Sequence, residues 1–232
     1  MKTKIFCDIA DLNLIQKFNK KKVVKGFTTN PSLIRKAGAN NYKAYSKKIL
    51  KICPKKPVSL EVFADEYSEM KKQAIQINEW AKNVYVKIPV VNSKGMFMGK
   101  IIKELNAKGI KLNITAVYTA KQTKKILEKI NKKTKVIISI FAGRAGDAGK
   151  NPLPELKESI QLSRKFKNVE ILWASVREPY NYTQARLMGC HIITIPPSII
   201  EKIENFGKTF NQLTIETVKA FLKDSIKSNF KI

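Results

Sequence analysis

One lysine lies within a segment that is otherwise almost wholly apolar. Lys87 interrupts the run VYVKIPV (84–90), and a charged ammonium group buried among apolar side chains is costly unless it is paired or loses its proton. The neutral amine is a nucleophile, and lysines in such surroundings form Schiff bases with carbonyl substrates. Lys87 is therefore the candidate nucleophile. The alternative is a strand-end lysine whose head reaches the solvent.

Two carboxylates interrupt other apolar runs in a comparable way. Asp8 follows KIFC, and Glu61 follows PVSL. Carboxylates close to an amine could perform the proton transfers that carbinolamine formation and carbon–carbon bond cleavage require. A structural salt bridge with Lys87 is the alternative interpretation.

The segments that carry these residues repeat along the chain. Eight short apolar runs, rich in β-branched residues, are typical of strands buried on both faces of a parallel sheet. They span residues 4–10, 24–29, 57–63, 84–90, 111–115, 135–141, 169–175 and 191–196. Amphipathic stretches between them predict helices. The alternation predicts a (β/α)8 TIM barrel, an α/β fold. A doubly wound sheet is the second candidate, but the first strand lacks the Gly-rich phosphate turn of that fold.

The last segment of the chain exceeds what a barrel needs. With 232 residues, the chain has the length of one domain with a single core. We expect a catalytic barrel over residues 1–210 and an additional C-terminal helix over residues 211–232. That helix is predicted to pack on the barrel or on a neighbouring subunit.

Polar residues are predicted to meet at one end of this barrel. Active sites of such barrels lie at the carboxyl ends of the strands, and the polar interruptions recur there about once per strand and helix. Their side chains should therefore converge on the barrel axis. They are Asp8, Asn30, Glu61, Lys87, Asn113, Thr115, Ser139 and Ser175.

Arginine is rare in this chain, and two arginines follow late strands. Of the 45 basic residues only five are arginine, and Arg144 and Arg177 come just after the sixth and seventh apolar runs. The planar guanidinium group binds phosphate oxygens in pairs. Because loops after the late strands of barrels often bind phosphate, the sequence predicts a phosphorylated substrate.

Several motifs, in order along the predicted barrel, resemble those of the transaldolase family. They are GFTTNPS (26–32), VYVKIP (84–89), LNITAVY (112–118), SIFAGR (139–144) and ASVR (174–177). The length is similar to that of the small transaldolases and fructose-6-phosphate aldolases. The resemblance implies an enzyme of the pentose phosphate pathway that needs neither a metal nor an organic cofactor. It would move a dihydroxyacetone unit from sedoheptulose 7-phosphate or fructose 6-phosphate to glyceraldehyde 3-phosphate or erythrose 4-phosphate.

The resemblance also implies a role for each site residue. Lys87 would form the Schiff base, and Asp8 would take the proton of the donor hydroxyl as the carbon–carbon bond breaks. Glu61 and Thr115 would act through a water in forming and dehydrating the carbinolamine. The hydroxyls of the three-carbon unit would be held by Asn30, Asn113 and Ser139. The sugar phosphate would be held by Arg144, Ser175 and Arg177.

Two positions distinguish transfer of the bound unit from its release. The resemblance implies Gln in fructose-6-phosphate aldolases where this chain has Glu61, and Tyr where it has Phe141. Both residues here favour the transferase, because Phe has no hydroxyl that could deliver a proton to the enamine. An aldolase that releases free dihydroxyacetone, and a relative acting on an unusual sugar, remain alternatives. Glu178 would weaken phosphate binding if its side chain pointed inward.

The net charge of +27 raises a different class of function, a nucleic-acid-binding protein or a protein of anionic membranes. The lysines are spread over nearly every predicted helix, and arginine-rich tracts with interleaved aromatic residues are missing. The sequence has no window of about 18 apolar residues, the length that a transmembrane helix needs. We therefore expect sugar phosphates as ligands, and neither nucleic acid nor membrane as a partner.

The cysteines and the family resemblance bear on location and assembly. Cys7, Cys53 and Cys190 are far apart and lack the spacing of a zinc site or a disulfide framework. This pattern favours a reducing, cytoplasmic environment. The resemblance implies a homo-oligomer, a pentamer or a decamer.

Overall fold

Eight parallel strands close into a barrel in the order in which they occur along the chain. The computed structural model describes residues 3–228. The strands are β1 (Lys4–Asp8), β2 (Val24–Thr28), β3 (Val58–Glu61), β4 (Val84–Pro89), β5 (Leu112–Val117), β6 (Val136–Ile140), β7 (Val169–Trp173) and β8 (Ile192–Ile195). Strand β8 pairs with β1 and closes the barrel. The predicted (β/α)8 architecture is confirmed.

Helices follow every strand and surround the barrel. They are α1 (Leu12–Asn19), α2 (Pro31–Lys36), α3 (Tyr42–Ile52), α4 (Tyr67–Asn78), α5 (Gly99–Ala107), α6 (Ala120–Leu127), α7 (Ala142–Asp147), α8 (Leu153–Ser163), α9 (Tyr180–Leu187), α10 (Pro197–Glu204) and α11 (Phe210–Ser228). The short helices α2 and α7 were not predicted, because six residues are too few to show a helical period. Helix α5 begins at Gly99, after a turn at Gly95 with φ of +77°.

The barrel interior changes from apolar to polar along the strands. Inward side chains of five strands form an apolar cluster. Phe6, Tyr85, Ile137 and Ile192 lie at or before the middle of their strands, and Leu172 and Ala174 lie at the carboxyl end of β7. Two residues further along four of these strands, the inward positions are polar: Asp8, Lys87, Ser139 and Thr194. Because side chains alternate between the two faces of a strand, the apolar cluster forms a floor directly beneath the polar groups.

Strand β5 contains a bulge at the level of the polar groups. Its pairing with β6 shifts register between Ile114 and Val117, and Ala116 adopts a left-handed backbone with φ of 58°. The extra residue leaves Thr115 inside the barrel while Val117 joins the outer core between barrel and helices. A bulge that re-aims a side chain is common next to active sites.

Helix α11 stands apart from the barrel core. Every residue from Phe206 to Ser228 is exposed. Apolar side chains of this helix are among the exposed ones, including Phe210, Leu213, Val218, Phe221 and Leu222. The predicted segment 211–232 runs past the described residues at 229–232. Within residues 3–228, no helix combines the length and apolar character needed to cross a membrane.

Candidate active site

A cavity of about 210 Å³ opens at the carboxyl ends of the strands, above the apolar floor. Ten of the eleven predicted site residues line it: Asp8, Asn30, Lys87, Asn113, Thr115, Ser139, Phe141, Arg144, Ser175 and Arg177. The eleventh, Glu61, lies beside Lys87 at the edge of the cavity. The barrel thus brings together residues that are up to 169 positions apart, from Asp8 to Arg177.

The Lys87 amine is held by two oxygen atoms. Its Nζ lies 2.8 Å from Oε2 of Glu61 and donates to the backbone carbonyl of Thr29 at 2.8 Å. The residue is only 7% exposed and lines the cavity, so its head lies inside the barrel and not on the outer surface. The salt bridge considered from the sequence is present. It also places a carboxylate where it can accept the proton that the amine must lose before it attacks a carbonyl.

Asp8 lies on the neighbouring side of the cavity, fixed by threonine hydroxyls. Thr28 Oγ1 donates to Asp8 Oδ1 at 2.7 Å, and Thr28 Oγ1 itself lies 2.5 Å from Thr194 Oγ1. Burial raises the pKa of the Asp8 carboxyl above its ordinary value, and the nearby carboxylate of Glu61 adds to the rise. The Thr28 hydrogen bond and the charge of Lys87 oppose it. A carboxylate with a raised pKa is a stronger base than an exposed one.

A chain of hydrogen bonds crosses the cavity floor from β3 to β6. Ser139 Oγ donates to Asn113 Oδ1 at 2.6 Å, and Asn113 Nδ2 donates to Ser59 Oγ at 3.0 Å. All three side chains are buried. Their orientations are therefore fixed before a substrate enters. The buried hydroxyl of Thr115 has no hydrogen-bond partner among the described residues and lines the same cavity.

Asn30 has a structural task in addition to its place in the cavity. Its Oδ1 accepts from the backbone N–H of Leu33 at 2.9 Å and caps helix α2. This hydrogen bond fixes the orientation of the amide and leaves its Nδ2 group to donate to a ligand.

The two arginines at the cavity rim are held differently. The Arg177 guanidinium forms a forked ion pair with Asp147, with Nε 3.0 Å from Oδ1 and Nη2 2.5 Å from Oδ2. This hydrogen bonding lowers the pKa of Asp147 and raises that of Arg177. The Arg144 guanidinium lies 5.5 Å from the centre of the Phe141 ring. Each side chain is thus oriented with part of its donor set left open.

The loops that carry these arginines touch at the backbone. A Cβ atom at Gly143 would lie 1.5 Å from the carbonyl oxygen of Ser175, so only glycine fits there without a shift of the backbone. Ser175 itself has φ of +65°, a conformation that costs free energy in a non-glycine residue and persists where the surroundings impose it. Gly143 and Ser175 therefore fix the distance between the two arginine loops.

Sequence reasoning missed three residues with a clear part in this geometry. Thr28 orients Asp8 and Thr194 contacts the Thr28 hydroxyl; both lie in apolar runs, which is a signal that could have indicated them. Asp147 holds Arg177, but it lies in a short helix that carried no sequence signal. Glu178, which was expected to disturb Arg177 if it pointed inward, does not line the cavity.

Curated proteins with related sequences cover the whole barrel. A protein from Herpetosiphon aurantiacus named probable transaldolase is 33% identical over 222 residues, covering 95% of this chain and 94% of that protein. A probable transaldolase from Methanococcus vannielii is 35% identical over 224 residues, covering 95% and 96%. A third, from Bdellovibrio bacteriovorus, is 34% identical over 231 residues, covering 98% and 100%.

A solved structure and a family model complete the comparison. The thiamine phosphate pyrophosphorylase of Pyrococcus furiosus superposes with a TM-score of 0.56 over 84% of this chain and 86% of that one, at 10% identity. At that identity the likeness concerns the fold alone. The model of the family described as transaldolase/fructose-6-phosphate aldolase matches residues 5–232. The chain therefore belongs to the transaldolase/fructose-6-phosphate aldolase family.

Proposed function

We propose that the protein is a transaldolase that transfers a dihydroxyacetone unit through a Schiff base on Lys87. The observation that supports this most directly is the buried amine 2.8 Å from the Glu61 carboxylate, with Asp8 beside it in the same cavity. An amine between a proton acceptor and a second carboxylate meets the requirements of both covalent steps.

In the first step Glu61 takes a proton from the Lys87 ammonium group, and the neutral amine attacks the ketone carbon of the donor. A second amine proton moves to the former carbonyl oxygen, which gives a neutral carbinolamine. Its hydroxyl leaves as water with the proton returned by Glu61, and an iminium ion remains. Thr115 is placed to bind the hydroxyl or the departing water, because its own hydroxyl has no protein partner among the described residues.

In the second step Asp8 removes the proton of the donor hydroxyl next to the bond that breaks. The electron pair of that bond moves towards the iminium nitrogen, which leaves an enamine of dihydroxyacetone on Lys87 and frees an aldose phosphate. The raised pKa of Asp8 suits it to this role. Addition of the enamine to a second aldose phosphate reverses these events.

The rim arginines are proposed to hold the phosphate of donor and acceptor. Arg144 and Arg177 line the cavity, and Ser175 lines it with them. Asn30, Asn113 and Ser139 are proposed to bind the hydroxyls of the three-carbon unit. Both substrates would be sugar phosphates, and both reactions would take place in the cytoplasm.

The test begins with trapping of the covalent intermediate. Borohydride added with fructose 6-phosphate is expected to leave a reduced adduct on Lys87, identified by peptide mass spectrometry. Lys87→Met is the matched control and should show none. A folded wild-type protein without adduct would contradict the mechanism.

A second measurement separates transfer from release. Fructose 6-phosphate is supplied with and without erythrose 4-phosphate, and free dihydroxyacetone and sedoheptulose 7-phosphate are quantified. We expect product mainly when the acceptor is present, because Phe141 provides no hydroxyl to protonate the enamine. Dominant release of dihydroxyacetone would indicate an aldolase instead.

Helix α11 supports a further part of the proposal, assembly into a homo-oligomer. Its apolar side chains, such as Phe210 at 90% and Phe221 at 70% exposure, would be covered by a neighbouring subunit. Light scattering after gel filtration of the full chain and of Phe221→Glu tests this. We expect a multimer whose mass falls in the variant; a wild-type monomer would contradict it.

A further inference from the structure

A second cavity lies at the opposite end of the barrel, where the strands begin. It has a volume of about 420 Å³, within the range of small-ligand sites. Its floor is formed by Phe6, Tyr85 and Ile137, and it shares no lining residue with the catalytic cavity. The apolar cluster of the barrel interior thus separates the two.

Lysines surround this cavity, one from the amino end of each of the first six strands. We call them the amino-end lysines: Lys4, Lys25, Lys55, Lys82, Lys111 and Lys135. Half of the twelve lining residues are lysine, against 40 lysines in the 232-residue chain, or about one in six. The enrichment therefore exceeds the general lysine bias of this sequence.

Negative charge at the cavity is scarce. Glu170, the one carboxylate among the lining residues, lies 2.6 Å from Lys4. Within residues 3–228 the other five amino-end lysines form no salt bridge. Lys111 is half-buried against the ring of Tyr85, 5.4 Å from its centre. Burial, and the nearby ammonium of Lys135, lower the pKa of Lys111. A counter-charge at this place would relieve the repulsion.

We propose that the amino-end lysines bind a compact anion that carries several adjacent phosphate groups. One phosphate group has a charge of about −1.5 to −2 at neutral pH, too little to balance the five ammonium groups that lack a salt bridge; one of them, that of Lys111, donates to the backbone carbonyl of Lys82. Lysine binds phosphate as a point charge, without the fixed geometry of arginine. A set of lysines without arginine therefore suits a flexible run of phosphates.

The cavity suits such an anion better than a nucleic acid. Single-strand binding uses exposed aromatic rings on which bases stack, whereas Phe6 and Tyr85 are 2% and 8% exposed. The aromatic rings can close the floor but cannot receive a base. Inorganic polyphosphate and nucleoside triphosphates both carry the required chemistry.

The experiment titrates the full-length protein with inorganic tripolyphosphate by calorimetry, at low and at physiological salt. Lys25→Gln/Lys82→Gln/Lys135→Gln removes three exposed amino-end lysines. Lys103→Gln/Lys157→Gln/Lys202→Gln removes three exposed lysines from α5, α8 and α10 and changes the net charge equally. We expect one site whose affinity falls at least about tenfold in the first variant and less than about twofold in the second.

Three further binding measurements complete the test. Arg144→Gln should bind tripolyphosphate as the wild type does; a loss would place the anion in the catalytic cavity and overturn the proposal. If ATP binds more tightly than tripolyphosphate, the ligand is a nucleotide. If ATP binds equally or more weakly, the ligand is an inorganic polyphosphate. A single-stranded oligonucleotide that binds more tightly than either would overturn the proposal in favour of a nucleic-acid surface.

Absence of tripolyphosphate binding at low salt, or an equal loss of affinity in the two triple variants, would also overturn the proposal. Unfolding temperatures of all variants are compared by circular dichroism. If the first triple variant does not fold, the single variants Lys25→Gln and Lys135→Gln carry the test, because exposed single substitutions seldom unfold a protein.

Discussion

The two ends of the barrel hold charge in opposite ways. At the carboxyl end the ionic groups have specific partners: Lys87 contacts Glu61, and Arg177 contacts Asp147. At the amino end Glu170 pairs with Lys4, and the other five amino-end lysines form no salt bridge within residues 3–228. Paired groups have defined positions, which catalysis requires, whereas unpaired groups produce a positive field without fixed geometry.

This difference shows why net charge alone is a poor guide to function in this chain. The total of +27 is dominated by lysines outside the catalytic cavity, yet the groups proposed to do the chemistry are one lysine, two arginines and the carboxylates of Asp8 and Glu61. Substitutions at the carboxyl end should therefore change turnover strongly, and substitutions at the amino end should not.

The largest effect is expected for Asp8→Asn. Loss of the base that takes the hydroxyl proton should slow bond cleavage by about 100- to 10,000-fold, measured as aldose phosphate formed in a single turnover. The borohydride adduct on Lys87 should still form, because that step uses Glu61 and Thr115. Cleavage at the wild-type rate would show that Asp8 is not the base.

A smaller effect is expected for Arg177→Lys. Lysine cannot keep the forked ion pair with Asp147 and also reach a phosphate, so kcat/KM for the sugar phosphate should fall about 10- to 100-fold. Arg186→Lys, on helix α9, is the matched control and should change it by less than about twofold. Equal values for the two variants would contradict the proposed phosphate site.

A shift in pH dependence is expected for Thr28→Val. The hydrogen bond from Thr28 lowers the pKa of Asp8 against the raising effect of burial, so its loss should raise that pKa further. Since the proposed base must be ionised, activity falls as the pH drops through this pKa. The acid limb of the profile of kcat/KM against pH should therefore move to higher pH. Thr28→Ser keeps the hydroxyl and should leave the limb in place; a shift there of the same size would contradict the assignment.

The smallest effect is expected from the amino end. Lys25→Gln/Lys82→Gln/Lys135→Gln should leave kcat and KM for fructose 6-phosphate within about twofold at physiological salt, where long-range fields are screened. Steady-state kinetics provides the measurement. A larger loss of kcat would mean that the two ends are coupled through the barrel floor.

The fold and most of the cavity lining could be predicted because both depend on local periodicity. Parallel strands buried on two faces leave apolar runs, and a polar residue within such a run stands out, as Lys87 and Asn113 do. Closure of the barrel then requires their inward side chains to converge. The family motifs added Phe141, which no pattern of polarity would indicate.

The remaining features depend on contacts that sequence spacing does not show. The pair of Asp147 and Arg177 joins the last residue of helix α7 to the segment after β7, and Gly143 of the same helix approaches the backbone of Ser175. The amino-end lysines lie about 20 to 30 residues apart along the chain, and only barrel closure brings them to one cavity. In the sequence they look like part of an even spread of lysine.

The contact between Gly143 and Ser175 also constrains how this enzyme could acquire a new substrate. A side chain at position 143 is excluded by a backbone atom of another loop, so no rearrangement of neighbouring side chains can make room for it. The segments after β6 and β7 must then change together. Libraries that vary only one of these segments would mostly lose the contact between them. Replacing both segments with those of one relative would keep the contact while changing the positions of the phosphate-binding groups.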